Sequence, residues 1–108
     1  MEITESKQGN FFVINLSGRL DTSNYGELEK KLLGFIEAGE KQMVVDCSGL
    51  VYISSSGLRV LLMGLKKITA AGGKFHLCCL QDNIREIFEI AGFTSIFRVF
   101  DTLDEAVK

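Results

Sequence analysis

Apolar and polar residues alternate along positions 11–16, where Phe12, Ile14 and Leu16 share one side, and this period of two predicts a β-strand. Positions 2–6 form a weaker strand candidate. Gln8-Gly9-Asn10 between them reads as a turn, so the pair predicts an antiparallel hairpin. The period then changes. Tyr25, Leu28, Leu32, Phe35 and Ile36 form one stripe at helical spacing, Glu27 and Lys31 make an i,i+4 pair on the wet side, and Gly39 stops the helix near Ala38. The polar stretch 17–24, rich in capping residue types, is expected to be the loop into that helix.

Positions 43–45, running into Asp46 and Cys47, are apolar on both sides, as in a central strand covered on both faces. Positions 48–53 lead to Ser54, Ser55 and Ser56. A helix is predicted from about Ser56 to Ala71. It should bury Leu58, Leu61, Leu62, Leu65 and Ile68 and expose Arg59, Lys66 and Lys67, with Val60 and Met63 at the margins. Gly72-Gly73 ends it. A strand over 74–80 follows, then a helix capped by Asp82-Asn83 that buries Ile84, Ile87, Phe88 and Ala91 and closes at Gly92. A last strand is expected over 96–100, and Thr102 with Glu105 has capping-box spacing for a short terminal helix.

The order ββαβαβαβα predicts an α/β fold: a mixed, mostly parallel sheet with an N-terminal antiparallel hairpin, flanked by about four helices. Right-handed crossovers would bring the loops at Asp21 and Ser55 to one rim, the usual place for function in such sheets.

Composition narrows the partners. At 108 residues the chain fits one domain, 1–108, with one core. Its net charge is −2 and it has no basic run, so nucleic acid is not expected to bind. The 3 cysteines are odd in number and Cys78 and Cys79 are adjacent, which suits neither a disulfide framework nor the spacing of a zinc site. With Cys47 they read as small buried hydrophobes in a reducing compartment. There is no basic-then-apolar leader, and no apolar run nears the ~20 residues of a membrane span. A cytoplasmic monomer without membrane insertion is expected.

The apparatus of catalysis is missing. Neither GxxxxGK[ST] nor GxGxxG occurs. The single histidine, His76, lies in a strand and is expected to face solvent or a neighbour. No Ser-His-Asp constellation can be assembled, and no cofactor or metal is expected. Among Asp21, Asp46, Asp82 and Asp101, Asp21 stands out because it should face the serine rim; capping the first helix is its structural alternative. The serines sit where helix N–H groups lack partners, a favourable place for an anion. A phosphoryl group there would add about −1.5 to −2 charges. Equally, serine is a preferred N-cap, and the cluster could serve only that purpose.

Three stretches carry a family resemblance: FFVINLSGRLDTSNYGELE, then VVDCSGLVYISSSGLRVLL, then GGKFHLCCL followed by IREIFEIAGF. The chain resembles the anti-sigma factor antagonists of the STAS domain family almost end to end. The middle block is the most specific, an apolar strand ending in Asp followed by a turn into (Asp/Ser)-Ser-(Ser/Thr/Ala)-Gly-Leu. The resemblance implies a small, non-enzymatic α/β domain in bacterial partner switching. The unphosphorylated antagonist would bind an anti-sigma factor that is a serine kinase with a histidine-kinase-like ATPase fold, freeing its sigma factor. Phosphorylation would end the complex, and a PP2C-type phosphatase would reverse it.

By motif position the phosphoacceptor is Ser55, with Ser54 and Ser56 as alternatives. Ser54 stands where the family commonly has an acid. Gly57 matches the turn glycine, where a kinase would need close access. Asp21, after Gly18-Arg19-Leu20, matches the family's loop aspartate, and Asp46 matches the acid ending the central strand. The partner face would include Asp21, Thr22, Ser54, Ser56, Gly57, Arg59 and Met63, although Arg59 and Met63 also fit ordinary solvated helix surface. Two rival readings remain: a constitutive STAS adaptor for a transporter or sensory complex, in which the serines only cap, and a nucleotide-binding module, disfavoured by the missing phosphate loop.

Overall fold

The computed structural model describes residues 1–108. Strands β1 (Glu2–Gln8) and β2 (Phe11–Leu20) precede α1 (Tyr25–Glu37), β3 (Gln42–Ile53) and α2 (Ser55–Ala70). Then come β4 (Lys74–Cys78), α3 (Asp82–Ile90), a 3-10 turn (Phe93–Ser95), β5 (Arg98–Phe100) and α4 (Leu103–Ala106). The sheet order is β1-β2-β3-β4-β5, antiparallel between β1 and β2 and parallel thereafter. This is the α/β architecture that the alternating periods predict.

Each strand-helix-strand step advances in one direction across the sheet, so right-handed crossovers put α1, α2 and α3 on one face. Leu28, Leu32, Leu61, Ile68, Ile84 and Phe88 from these helices close over Ile14, Leu16, Met43, Val45, Phe75 and Leu77. The intervening residues Phe11, Val13, Val44 and Cys78 face the other way and meet Ala106 of α4. The central strands are therefore covered on both sides, as the unbroken apolar run at Met43–Val45 requires.

Several expectations need correction. Residues 17–20 continue β2 instead of forming a loop, with Leu20 fully buried, and β3 runs on to Ile53. Asn15 pairs with Asp46 but Ser17 with Gly49, and Gly18 pairs with Leu50 but Arg19 with Tyr52. At each step β3 carries one residue more than β2, which is a bulge. The bulges bring Cys47, Leu50 and Ile53 inward at a spacing that does not alternate. At α2, Val60 is buried while Leu62 and Leu65 are only half-buried. The inward positions also include Gly64, where a Cβ would stand 2.9 Å from the Phe75 ring, so the helix lies close on β4.

β4 ends at Cys78, short of Leu80, and Cys79 takes φ 63, the one non-glycine residue in the left-handed region. Asp82 and Asn83 lie inside α3, whose N-cap position is Gln81 without a side-chain cap bond, and the Asn83 amide donates to Val51 O at 3.0 Å. Ala91 is exposed. Ile96 is exposed and lies ahead of β5 rather than in it. Lys31 reaches Glu5 of β1 at 3.4 Å, bypassing its expected partner Glu27. Half of the predicted capping box at α4 forms, Thr102 Oγ1 accepting from Glu105 N–H at 3.2 Å, while the Glu105 carboxylate accepts from the Thr102 hydroxyl at 3.3 Å in place of the Thr102 backbone N–H.

His76 faces a neighbour and not solvent. It is buried between the Phe11 and Phe100 rings, and its Nδ1 lies 2.8 Å from the Ala106 carbonyl. Burial pushes its pKa down, against a smaller upward pull from that hydrogen bond. The unfolded chain therefore takes up a proton here more readily than the folded one. His76 contributes stability that is fully present above its ordinary value of 6.5 and lost as pH falls through the lower folded value. Urea titrations at a series of pH values should show less loss of stability below pH 6.5 in His76→Leu than in the parent.

Candidate functional site at the carboxyl rim

The carboxyl ends of β2 and β3 lie side by side, with Leu20 opposite Ile53. The Ser54 amide closes the rim by donating to Leu20 O at 2.9 Å. This pairing brings the Asp21 loop against the serine turn, as the crossover rule predicts.

The three serines hold different positions. Ser54 is the N-cap of α2, with extended backbone, and its hydroxyl accepts from Gly57 N–H at 3.2 Å. Ser55 is the first helical residue and is exposed; Ser56 is half-buried. A cap of this kind contributes about 1 kcal/mol. Ser54→Ala should therefore lower the unfolding free energy by about that amount in urea melts, with Ser55→Ala close to neutral.

Gly57 is not a turn residue. It is the third residue of α2 and is buried, where a Cβ would stand 2.8 Å from Leu20 Cγ and 2.9 Å from Ile53 Cγ1. The glycine lets the helix start rest on the ends of both strands, so the need for a small residue comes from inside the molecule.

Asp21 does not cap α1 with its side chain. Its Oδ1 accepts from Ser23 Oγ at 2.6 Å and from Ser23 N–H at 3.0 Å. The Ser23 hydroxyl, then the Ser23 amide, hold the carboxyl below its ordinary value, with a smaller pull from Arg19. The Asp21 carbonyl accepts from the Asn24 and Tyr25 amides, and Asn24, the N-cap, pins the loop by donating to Arg19 O at 2.8 Å. Thr22 is exposed at the tip. Arg19 lies 4.2 Å above the Tyr52 ring and 3.8 Å from Asp21 Oδ2, joining the two strand ends across the rim.

Ser56, Arg59 and Met63 share one groove of about 410 Å³ between α1 and α2. Its other lining residues are Tyr25, Glu29 and Val60. Sequence reasoning assigned Tyr25 to the buried stripe, yet it is exposed; Glu29, one turn on, was not singled out. The available signal was that Tyr25 opens the helix at the rim, where a phenol can pack its ring and keep its hydroxyl wet. The rim thus offers an exposed hydroxyl at a helix start, a fixed carboxylate loop, and a half-apolar groove carrying both Arg59 and Glu29. Asp46 lies on the opposite face of the sheet from these helices, on the side of Val44 and Cys78.

A family model described as STAS domain matches residues 2–106. BtrV of Bordetella bronchiseptica, named as a candidate anti-sigma factor antagonist, is 38% identical over 106 residues, which is 98% of this chain and 91% of BtrV. A crystal structure of a candidate anti-sigma factor antagonist from Thermotoga maritima superposes with a TM-score of 0.92 at 21% identity, covering 96% of this chain and 90% of that one. The Bacillus cell fate determinant SpoIIAA in its phosphorylated form superposes with a TM-score of 0.77 at 21% identity, over 98% and 96% of the two chains. At those identities the two structures speak to the fold.

Proposed function

The chain belongs to the STAS domain family, and we propose that it is an anti-sigma factor antagonist working by partner switching. In its unmodified form it binds an anti-sigma factor that is a serine kinase with a histidine-kinase-like ATPase fold. The captured kinase releases its sigma factor. Phosphorylation of Ser55 ends binding, and a PP2C-type phosphatase restores the unmodified form. The chain itself catalyses nothing, and the switch needs no cofactor. It acts as a cytoplasmic monomer; no helix of the chain is long and apolar enough to cross a membrane.

The observation that carries this reading is the division of labour between adjacent serines. Ser54 commits its hydroxyl to the helix cap, which leaves Ser55 exposed at the first helical position. A phosphoryl group on Ser55 lies beside helix N–H groups that lack intrahelical partners, so the fold can accept it without opening. Support also comes from the name that BtrV carries and from the SpoIIAA fold having been seen phosphorylated. Asp21, Thr22, Ser54, Ser56, Arg59 and Met63 make the contact surface around it, with Gly57 shaping the surface from beneath.

The test is intact mass after incubation with the cognate kinase and ATP. One added phosphoryl group is expected on the parent and none on Ser55→Ala, which should still bind the kinase. No gain of mass on the parent would leave a constitutive STAS adaptor, in which the serines serve only the helix.

A further inference from the structure

On the face of the sheet away from α1, α2 and α3, two thiols and a carboxylate converge. In a regular strand, consecutive side chains point to opposite faces. Cys78 and Cys79 escape that rule because Cys79 takes φ 63. As a result both pack against the same small cluster under α4, Cys78 fully buried and Cys79 half-buried. Asp46 pairs with Cys78 in register, so it lies alongside on β3. The third cysteine, Cys47, belongs to the other face. The ligand atoms of Asp46, Cys78 and Cys79 all lie within 4.8 Å of one another.

We propose that Asp46, Cys78 and Cys79 form a site for a thiophilic divalent cation, with zinc as the best-matched ion. Two sulfurs and one oxygen exclude magnesium and calcium, which prefer all-oxygen shells, and favour zinc or cadmium. With Zn–S bonds of about 2.3 Å, two sulfurs on one tetrahedral ion stand about 3.8 Å apart, and the ligand atoms here already lie within 4.8 Å of one another. Binding breaks two S–H bonds, releases two protons to solvent and forms two metal–sulfur bonds and one metal–oxygen bond, with no change of oxidation state. Three protein ligands leave a fourth position for water. The ion would tie β3, at Asp46 within the strand, to the loop after β4. That loop is already held to β3 by Gln81, which donates to Ser48 O at 2.8 Å.

The experiment uses the full chain, reduced and stripped of metal. Addition of Zn²⁺ should give one equivalent bound in a calorimetric titration, and Cd²⁺ should give thiolate-to-metal absorption. Cys79→Ser and Asp46→Asn should each weaken binding by more than about tenfold, since even outer-sphere partners are worth that much. Cys47→Ala should bind as the parent does. On the unaltered chain, equimolar Zn²⁺ should protect Cys79 from iodoacetamide, read as the site of alkylation by peptide mass. Absence of thiolate absorption at one equivalent of Cd²⁺, or alkylation of Cys79 at the same rate with and without Zn²⁺, would overturn the proposal. So would full-strength binding in a folded Cys79→Ser chain.

Discussion

Ser55→Asp is expected to weaken binding of the cognate kinase by about hundredfold or more, measured by calorimetry or surface resonance. That corresponds to about 3 kcal/mol, within what an uncompensated charge costs when buried in a contact. The hydroxyl it replaces is exposed at the first residue of α2, next in the chain to Ser56, which lines the groove with Arg59 and Met63. A partner covering that surface must strip water from whatever stands there. A carboxylate carries about one charge and phosphate about −1.5 to −2, so the phosphorylated chain should lose still more. The melting temperature should change little, because an anion at a helix start is favourable. Equal affinity for parent and Ser55→Asp, with Ser55→Ala also binding, would show that charge at this position does not control docking.

Gly73→Ala should be among the most destabilising single-methyl additions in the molecule. A Cβ at Gly73 would stand 2.0 Å from the Lys41 carbonyl oxygen and 2.9 Å from Ile68 Cγ2. The carbonyl cannot swing aside freely, since it accepts from the Lys74 amide at 2.7 Å as β4 begins to pair with β3. Overpacking typically costs about 1–3 kcal/mol, and a backbone obstacle places this change at the upper end or beyond. A shift of roughly 10 °C or more in melting temperature follows. Gly72→Ala provides the contrast: at φ 81 with open space around it, it should cost only about 1–2 kcal/mol from the left-handed backbone. Similar losses in the two variants would mean that the approach of Gly73 to Lys41 is not limiting.

Much of this architecture is written in hydrophobic periods. The helical stripes at Leu28 and Leu32 and at Ile84 and Phe88, and the apolar run at Met43, follow from spacing alone because each face meets a continuous core. The crossover rule also placed Asp21 beside the serines. The extension of β2 through Gly18 was hidden because Ser17, Gly18 and Arg19 look like a turn; the bulged pairing with β3 that sustains them is a property of two strands together. Which serine caps α2 was equally hidden, since all three have the chemistry and only backbone geometry selects Ser54. Spacing likewise gave no hint that Cys79 turns toward the side of Cys78, because one left-handed residue decides it. Gly57 was read as a turn residue, and the reason it is small lies in Leu20 and Ile53 packed against it.

Neighbours in the sheet are neighbours in the chain, from β1 through β5. From β2 onward each new strand thus has its mate already in place when it leaves the ribosome. The parallel pairings are still non-local, Phe12 with Met43 and His76 with Arg98, and each must close a whole crossover before its contacts form. At each stage the newest strand is the growing edge, open to pairing with other chains until the next strand arrives. A nascent chain paused after β3 would expose the very edge that β4 later covers, so the pace at which the second half is supplied governs how long that edge stays bare.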